Sequence, residues 1–422
     1  MNHFQYRDGV LHAEHVSIET IAAAVGTPFY CYSTATATRH YKVFRDAFAG
    51  MDVSVHYAVK ANGNLALVRT LANLGAGADV VSGGELHLAL RAGVAARDVV
   101  FSGIGKTDPE LKQAIDCGVG QINVESEPEL ESLSRIATAS GKRMRIAIRV
   151  NPDVDAGTHH KITTGTKENK FGIDWTLAPA IYRKAKSLPG IDPAAIAVHI
   201  GSQITDLKPL ENAFLRVREL TQLLRNDGIA ISHLDLGGGL GVPYDMSNDP
   251  PPPPSEYAAI VRKTVGDLGC KLAFEPGRLL VGNAGIMIGR VVIVKEGVSK
   301  KFLIVDAGMN DLIRPAMYDA HHDIIPVRQA KPGATLTDFD VVGPVCESSD
   351  KFASDVALPR PAPGDLMAFL TAGAYGAAMS SSYNARPLIP EVLVHGAEWA
   401  LVRRRPTVEE LLDLNTLPPW LN

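Results

Sequence analysis

The sequence lacks what a disulfide framework, a zinc cluster or a membrane span requires. Its four cysteines, Cys31, Cys117, Cys270 and Cys346, are widely scattered and form no CxxC pair. Neither a crosslinked scaffold nor a bound metal is expected, and at least one thiol is left for chemistry. The N-terminus, Met1-Asn-His-Phe-Gln-Tyr-Arg-Asp8, has no basic region followed by an apolar run, and the most apolar later stretch, Leu279 to Val294, carries Asn283 and Arg290. A cytoplasmic protein with no membrane segment is expected. Basic charge is not in excess either: a net charge of −4 gives no footprint for nucleic acid, although a local phosphate site needs only a few donors. No internal repeat is visible.

What is present is an alternation. The 422 residues exceed one typical core and point to two domains, one of them a large α/β barrel. Short apolar, β-branched runs recur at Val53–Val59, Ala78–Ser82, Asp98–Ser102, Gln121–Val124, Met144–Val150, Ala194–Ile200, Ile231–Leu236 and Lys271–Glu275. Segments with helical spacing lie between them, such as Leu65, Val68, Leu71 and Leu74, or Leu86 and Leu90 before Gly93. Eight strands alternating with helices predict a (β/α)8 TIM-like barrel over residues 29–275. After Gly285 the texture changes to β-rich runs without helical patterns, at 286–295, 302–306, 339–345, 365–370, 391–394 and 399–403. This predicts an all-β domain over 276–422. The first 28 residues are assigned to that domain, with a short strand near Val10 and a helix near Ile18–Val25, although pattern alone does not place them. The five prolines Pro250–Pro254 read as a stiff barrel loop rather than a docking motif.

In a parallel barrel the chemistry gathers where strands end. Lys60 ends the first predicted strand, His199 the sixth, Gly237-Gly-Gly-Leu-Gly241 follows the seventh and Glu275-Pro-Gly-Arg278 the eighth. A lysine at a strand end is by itself usually a surface residue, but a partly desolvated amine can attack an aldehyde, and pyridoxal phosphate is the obvious one. The glycine run lets backbone N–H groups approach a phosphate, while a glycine cluster taken alone is more often a turn. Gly277 and Arg278 offer further donors. Glu275 closes an apolar strand, where either a pyridinium N–H or an ordinary ion pair with Arg278 would satisfy it. His199 fits the face of a cofactor ring, with Ser202 near the phosphate, against the default of a buried structural histidine. The β domain adds Arg314, Tyr318, Cys346, Glu347 and Tyr375. Guanidinium forks match carboxylates and Glu347 matches an ammonium, as a dicarboxylate carrying an amine would require. Cys346 is either a proton donor or a small buried residue.

Taken together, these residues resemble the fold-type III pyridoxal-phosphate decarboxylases, and within them the group acting on diaminopimelate. The resemblance runs over nearly the whole chain through Tyr57-Ala-Val-Lys-Ala-Asn62, Asp79-Val-Val-Ser-Gly-Gly-Glu85, Glu168-Asn-Lys-Phe-Gly172, His199-Ile-Gly-Ser-Gln203, Gly237-Gly-Gly239, Glu275-Pro-Gly-Arg278, Cys346-Glu-Ser348 and Gly373-Ala-Tyr-Gly376. It implies that Lys60 carries pyridoxal 5'-phosphate as a Schiff base, Glu275 holds the pyridine nitrogen and His199 stacks on the ring. Gly238, Gly239, Gly277 and Arg278 would surround the phosphate, with Arg278 also reaching substrate. Arg314 and Tyr318 would bind the distal end of the substrate, and Tyr375 would contact both cofactor and substrate. An obligate homodimer is implied, with Cys346 and Glu347 arriving from the partner chain. The implied reaction converts meso-2,6-diaminopimelate to L-lysine and CO2, the last step of lysine biosynthesis, with Cys346 or alternatively Lys60 returning the proton to Cα. Two departures from the usual pattern, Asp319-Ala-His-His322 and Ser349, touch the pocket rim and remove no catalytic group.

Rival readings are a decarboxylase of ornithine, arginine or carboxynorspermidine, a catalytically dead partner-binding homologue, and an amino-acid racemase. Arg314 and Glu347 argue against the first, because a diamino acid without a second carboxylate has no use for the arginine. Lys60 and Cys346 argue against the second. The same cysteine and the paired arginines argue against the third.

Overall fold

The computed structural model describes residues 2–155, 170–245 and 250–421. The chain forms two compact units. Eight parallel strands close the first: Val53–Ala58, Gly77–Val80, Val99–Phe101, Gln121–Val124, Met144–Asn151, Ile191–Ala197, His233–Asp235 and Lys271–Phe274. Each pairs with the next, and the eighth returns to the first with Leu272 opposite Val53. All eight lie where alternation places them. Closure pairs the first strand with the last, a short further strand, Ile173–Asp174, adds to Met144–Asn151, and the parallel order requires a crossover between each pair.

Those crossovers are helices with legible starts. Ser82 and Ser126 accept the backbone N–H groups of Glu85 and Glu129 at 3.1 and 3.3 Å, opening the helices Gly83–Arg91 and Glu127–Ala139. Each such cap contributes about 1 kcal/mol. Much of the Asp79–Glu85 motif is thereby accounted for as a helix start: Glu85 also reaches back to the amide of Val81 at 2.8 Å. Pro254 begins the helix Pro254–Val265 after an extended Pro253, so the proline run ends as a helix N-terminus.

The second unit is a β domain with two apolar cores on the faces of one sheet. Its central strand, Gly285–Glu296, pairs with Phe29–Ser33, Leu366–Phe369 and Lys301–Val305. Phe29 and Cys31 enter one core with Ile286 and Ile288. Tyr30 and Tyr32 enter the other with Met287, Leu303 and Phe369. That alternation, apolar on both faces, is why Phe29–Ser33 gives no amphipathic signal. Burial of Cys31 also raises its thiol pKa well above the ordinary value, which makes it a core residue and not a nucleophile.

The domain limits differ from the sequence expectation at both ends. Residues up to Ala37, Pro243 with Tyr244 and Asp245, and the chain from Val281 belong to the β unit, whereas Thr38 to Val242 and the segment through Leu280 form the barrel unit. Residues 29–37 move because Phe29–Ser33 is hydrogen-bonded into the β sheet. Residues 276–280 stay with the barrel, where Pro276 accepts from the amide of Ala58 at 3.3 Å.

Candidate active site

The strand Val53–Ala58 runs into a single 3-10 turn, Val59–Ala61, that carries Lys60. The Tyr57 hydroxyl donates to the Asn62 carbonyl at 2.9 Å, Asn62 accepts from the amide of Asn64 at 3.0 Å, and Asn64 caps the next helix by accepting from Ala66 at 3.0 Å. The turn is thus locked by its own residues. Lys60 Nζ lies 2.7 Å from Asp79 Oδ2, with the lysine side chain 39% exposed and the aspartate fully buried. A second barrel lysine, Lys106, is only 1% exposed. Its ammonium donates to the carbonyls of Gly103 and Asn123 and to Glu129 at 2.6, 2.7 and 2.6 Å. Three protons meet three acceptors, so Lys106 is a satisfied structural ion, and Lys60 is the amine that opens onto a cavity.

That cavity encloses about 420 Å³ and is lined by Lys60, Ser102, Asn123, Arg149, Phe171, His199 and Glu275, among others. Glu275 is buried on its wall. Its Oε1 accepts from Ser102 Oγ at 3.3 Å and Asn123 Nδ2 at 3.4 Å. Asn123 and Gln121 also reach Asp235 Oδ2, each at 3.2 Å. Loss of hydration, then the charges of Asp235 and Asp79, pushes the Glu275 carboxyl well above the usual carboxylate range, and burial raises Asp235 as well. This crowd of acids calls for an N–H donor or a cation.

His199 follows the sixth strand. Burial, with help from the positive Arg149 and Lys60, drives its pKa well below the ordinary value. It is therefore a neutral ring. Its Nδ1 faces the N–H of Gly238 at 3.3 Å, so Nδ1 is the acceptor and Nε2 carries the hydrogen. Arg149 is itself anchored to Glu125 at 3.0 Å, and Glu125 accepts from the amides of Gly103 and Gly172 at 3.0 and 3.1 Å.

The triple glycine differs in part from expectation. The amide of Gly237 donates to Asp235 Oδ1 at 3.1 Å and that of Gly238 to His199, so neither is turned to an anion here. Backbone approach explains the residue type: a Cβ on Gly238 would come 2.3 Å from the Glu275 carbonyl oxygen, and one on Gly239, whose φ is +112°, 2.5 Å from that of Gly201. Gly238→Ala should therefore cost about 2–4 kcal/mol, read as a lowered midpoint in urea unfolding, and an unchanged midpoint would show that the strands yield. Arg278 is buried and donates to Ser202 Oγ at 3.0 Å. Gln203 ties the two loops together through the carbonyl and amide of Val242 at 2.7 and 3.2 Å.

The β unit holds the remaining expected residues. Arg314 is buried and opens the helix Arg314–Tyr318. Tyr375 has a φ of +57°, a left-handed backbone that costs a non-glycine residue about 1 kcal/mol or more and that concentrates at functional positions. Cys346 and Glu347 are exposed. Tyr383 and Ser349 hydroxyls donate to Glu347 at 2.5 and 3.0 Å and hold its carboxyl below its usual pKa. Glu168 and Asn169 of the Glu168–Gly172 motif, with most of the loop 151–171, lie outside the described residues. Asp79, present in a quoted motif but given no role, and Asn123, Arg149 and Asp235 are the functional residues that the sequence reading misses. Their only signal is a polar side chain inside a strand of the barrel.

The set of groups fits pyridoxal phosphate. Asp79 Oδ1 is buried with no hydrogen-bond partner among the described residues, the acid at the cavity wall favours a proton-bearing partner, and an amine and a neutral ring complete the donor set. Comparisons with known proteins agree. Residues 34–282 match the family model for the pyridoxal binding domain of pyridoxal-dependent decarboxylases. The chain is 44% identical to diaminopimelate decarboxylase of Zymomonas mobilis over 99% of both chains. It is 47% identical to that of Vibrio cholerae over 99% of this chain and all of the relative. The solved diaminopimelate decarboxylase of Helicobacter pylori complexed with L-lysine superposes with a TM-score of 0.90 at 39% identity, over 94% of this chain and 98% of that one. On these grounds the chain belongs to the diaminopimelate decarboxylases, a family of pyridoxal-dependent decarboxylases.

Proposed function

We propose that this protein removes one carboxylate from meso-2,6-diaminopimelate, releasing L-lysine and CO2, with pyridoxal phosphate as its cofactor. The observation that carries the proposal is the single cavity in which Lys60, His199 and Glu275 meet. When bound, pyridoxal phosphate supplies an electron sink for the pair released as the bond from Cα to the carboxylate breaks. Lys60 is the amine that tethers the cofactor aldehyde and yields to the substrate amine, with Asp79 holding Nζ until then. Glu275 keeps the ring nitrogen protonated, and the neutral His199 covers one ring face without adding charge. Gly239, Gly277, Arg278 and Ser202 hold the phosphate, with Gly238 engaged in orienting His199.

Arg314 and Tyr318 take the distal end of the substrate, and Tyr375 contacts cofactor and substrate. Cys346 is assigned the return of a proton to Cα, and Glu347 the distal ammonium. In this reading the protein is a cytoplasmic homodimer with Cys346 and Glu347 serving the partner's site. The support for that part is the exposure of both residues and the observation that among the described residues no helix is long and apolar enough to cross a membrane.

Release of lysine and CO2 from the meso isomer, with ornithine and arginine as controls, tests the reading. Faster turnover of either control would overturn the substrate assignment. Arg314→Ala should weaken diaminopimelate by about 10²-fold at unchanged cofactor content. Loss of cofactor with unchanged substrate affinity would remove Arg314 from the substrate site.

A further inference from the structure

Arg314 sits in a clamp made of Tyr244, which the sequence does not single out, and His322, which closes the Asp319–His322 departure from the family pattern. Its Nη1 lies 2.8 Å from His322 Nε2, and its guanidinium carbon lies 4.2 Å from the centre of the Tyr244 ring. His322 is 1% exposed, with Nδ1 2.8 Å from the carbonyl oxygen of Leu370. The Tyr244 and His322 rings meet edge to face at 5.3 Å.

The hydrogen bonds fix the state of His322. A carbonyl oxygen only accepts, so Nδ1 carries the imidazole hydrogen. A guanidinium only donates, so Nε2 presents its lone pair to Arg314. His322 is therefore a neutral ring in one tautomer. A neutral acceptor orients a guanidinium without cancelling its charge, which a carboxylate in the same place would do. The Tyr244 ring sets the plane of the fork through its π face.

We propose that His322 and Tyr244 are positioning residues that preset the Arg314 fork and so determine the preference for ligands bearing a distal carboxylate. This rests on the reading that Arg314 binds that carboxylate. A bidentate pair needs the fork in one plane and one direction, and fixing both beforehand removes an ordering cost from binding.

L-Lysine and cadaverine separate this role from a merely structural one, because cadaverine is the same diamine chain without the carboxylate. Calorimetric titration of the cofactor-loaded enzyme with each ligand should show His322→Leu weakening L-lysine by about tenfold while cadaverine shifts by less than about twofold. KM for meso-2,6-diaminopimelate should rise in parallel, with kcat nearly constant. His322→Gln, whose Oε1 replaces Nε2 as the acceptor, should recover most of the loss. Tyr244→Leu should act in the same direction and stands in if His322→Leu does not fold. Equal losses for the two ligands, or a Gln variant no better than Leu, would overturn the proposal. Arg314→Ala distinguishes the underlying reading: if it leaves the ratio of the two affinities unchanged, the carboxylate assignment fails. If it collapses the ratio while the His322 and Tyr244 variants do not, only the positioning role fails.

Discussion

Lys60→Ala should lower CO2 release from meso-2,6-diaminopimelate by about 10⁴-fold or more, because it removes the amine that tethers the cofactor and exchanges with the substrate amine. The fold should survive. The change leaves Asp79 buried without its ammonium partner, and because the lysine side of that pair is partly solvated the cost is about 1–2 kcal/mol. That cost supplies a control. Lys60→Ala combined with Asp79→Asn should regain much of the lost stability and none of the turnover. Melting curves and CO2 assays on both variants separate a missing reactant from a damaged barrel. Near-normal CO2 release from the single variant would remove Lys60 from the chemistry.

Glu275→Gln should cost about 10²–10³-fold in turnover, the usual penalty for replacing a preorganised charged group by a neutral one. It should also stabilise the cofactor-free protein at alkaline pH. The Glu275 carboxyl is raised well above its ordinary value by burial and by Asp235 and Asp79. The native state therefore keeps its proton to higher pH than the unfolded chain does. The resulting stability is complete below the ordinary carboxylate range and is lost as pH rises through the elevated value. A glutamine loses nothing over that window. The difference in melting temperature between variant and wild type should grow as pH rises above the ordinary carboxylate range. Parallel curves would mean that another group titrates there.

Much of this was legible because a barrel writes itself twice, in the strand spacing and in the residues at strand ends. Lys60, His199 and Glu275 each follow an apolar run, and the structure brings them to one cavity. The acids and amides inside the barrel were not legible. Asp79, Asn123 and Asp235 sit within strands, where a polar side chain reads as solvent-facing until closure turns it inward. Phe29–Ser33 was hidden for the opposite reason, since both its faces are buried. Lys351–Pro359 alternates poorly, with buried Phe352 and Leu358 six residues apart, and its pairing with Leu336–Val342 contains two register shifts. His322 and Tyr244 lie 78 positions apart in the chain, and no local pattern links two rings that meet only after folding.

The strand Phe29–Ser33 pairs on one side with Gly285–Ile288 and on the other with Glu391–Val394. The barrel lies between this strand and both partners in the order of synthesis. A ribosome therefore delivers Phe29, Tyr30, Cys31 and Tyr32 more than two hundred and fifty residues before the first of those partners arrives, and the sheet cannot close until Glu391–Val394 has been made. Until then this apolar segment must be shielded by some temporary neighbour, so nascent chains arrested before residue 285 should bind a general chaperone through their first forty residues.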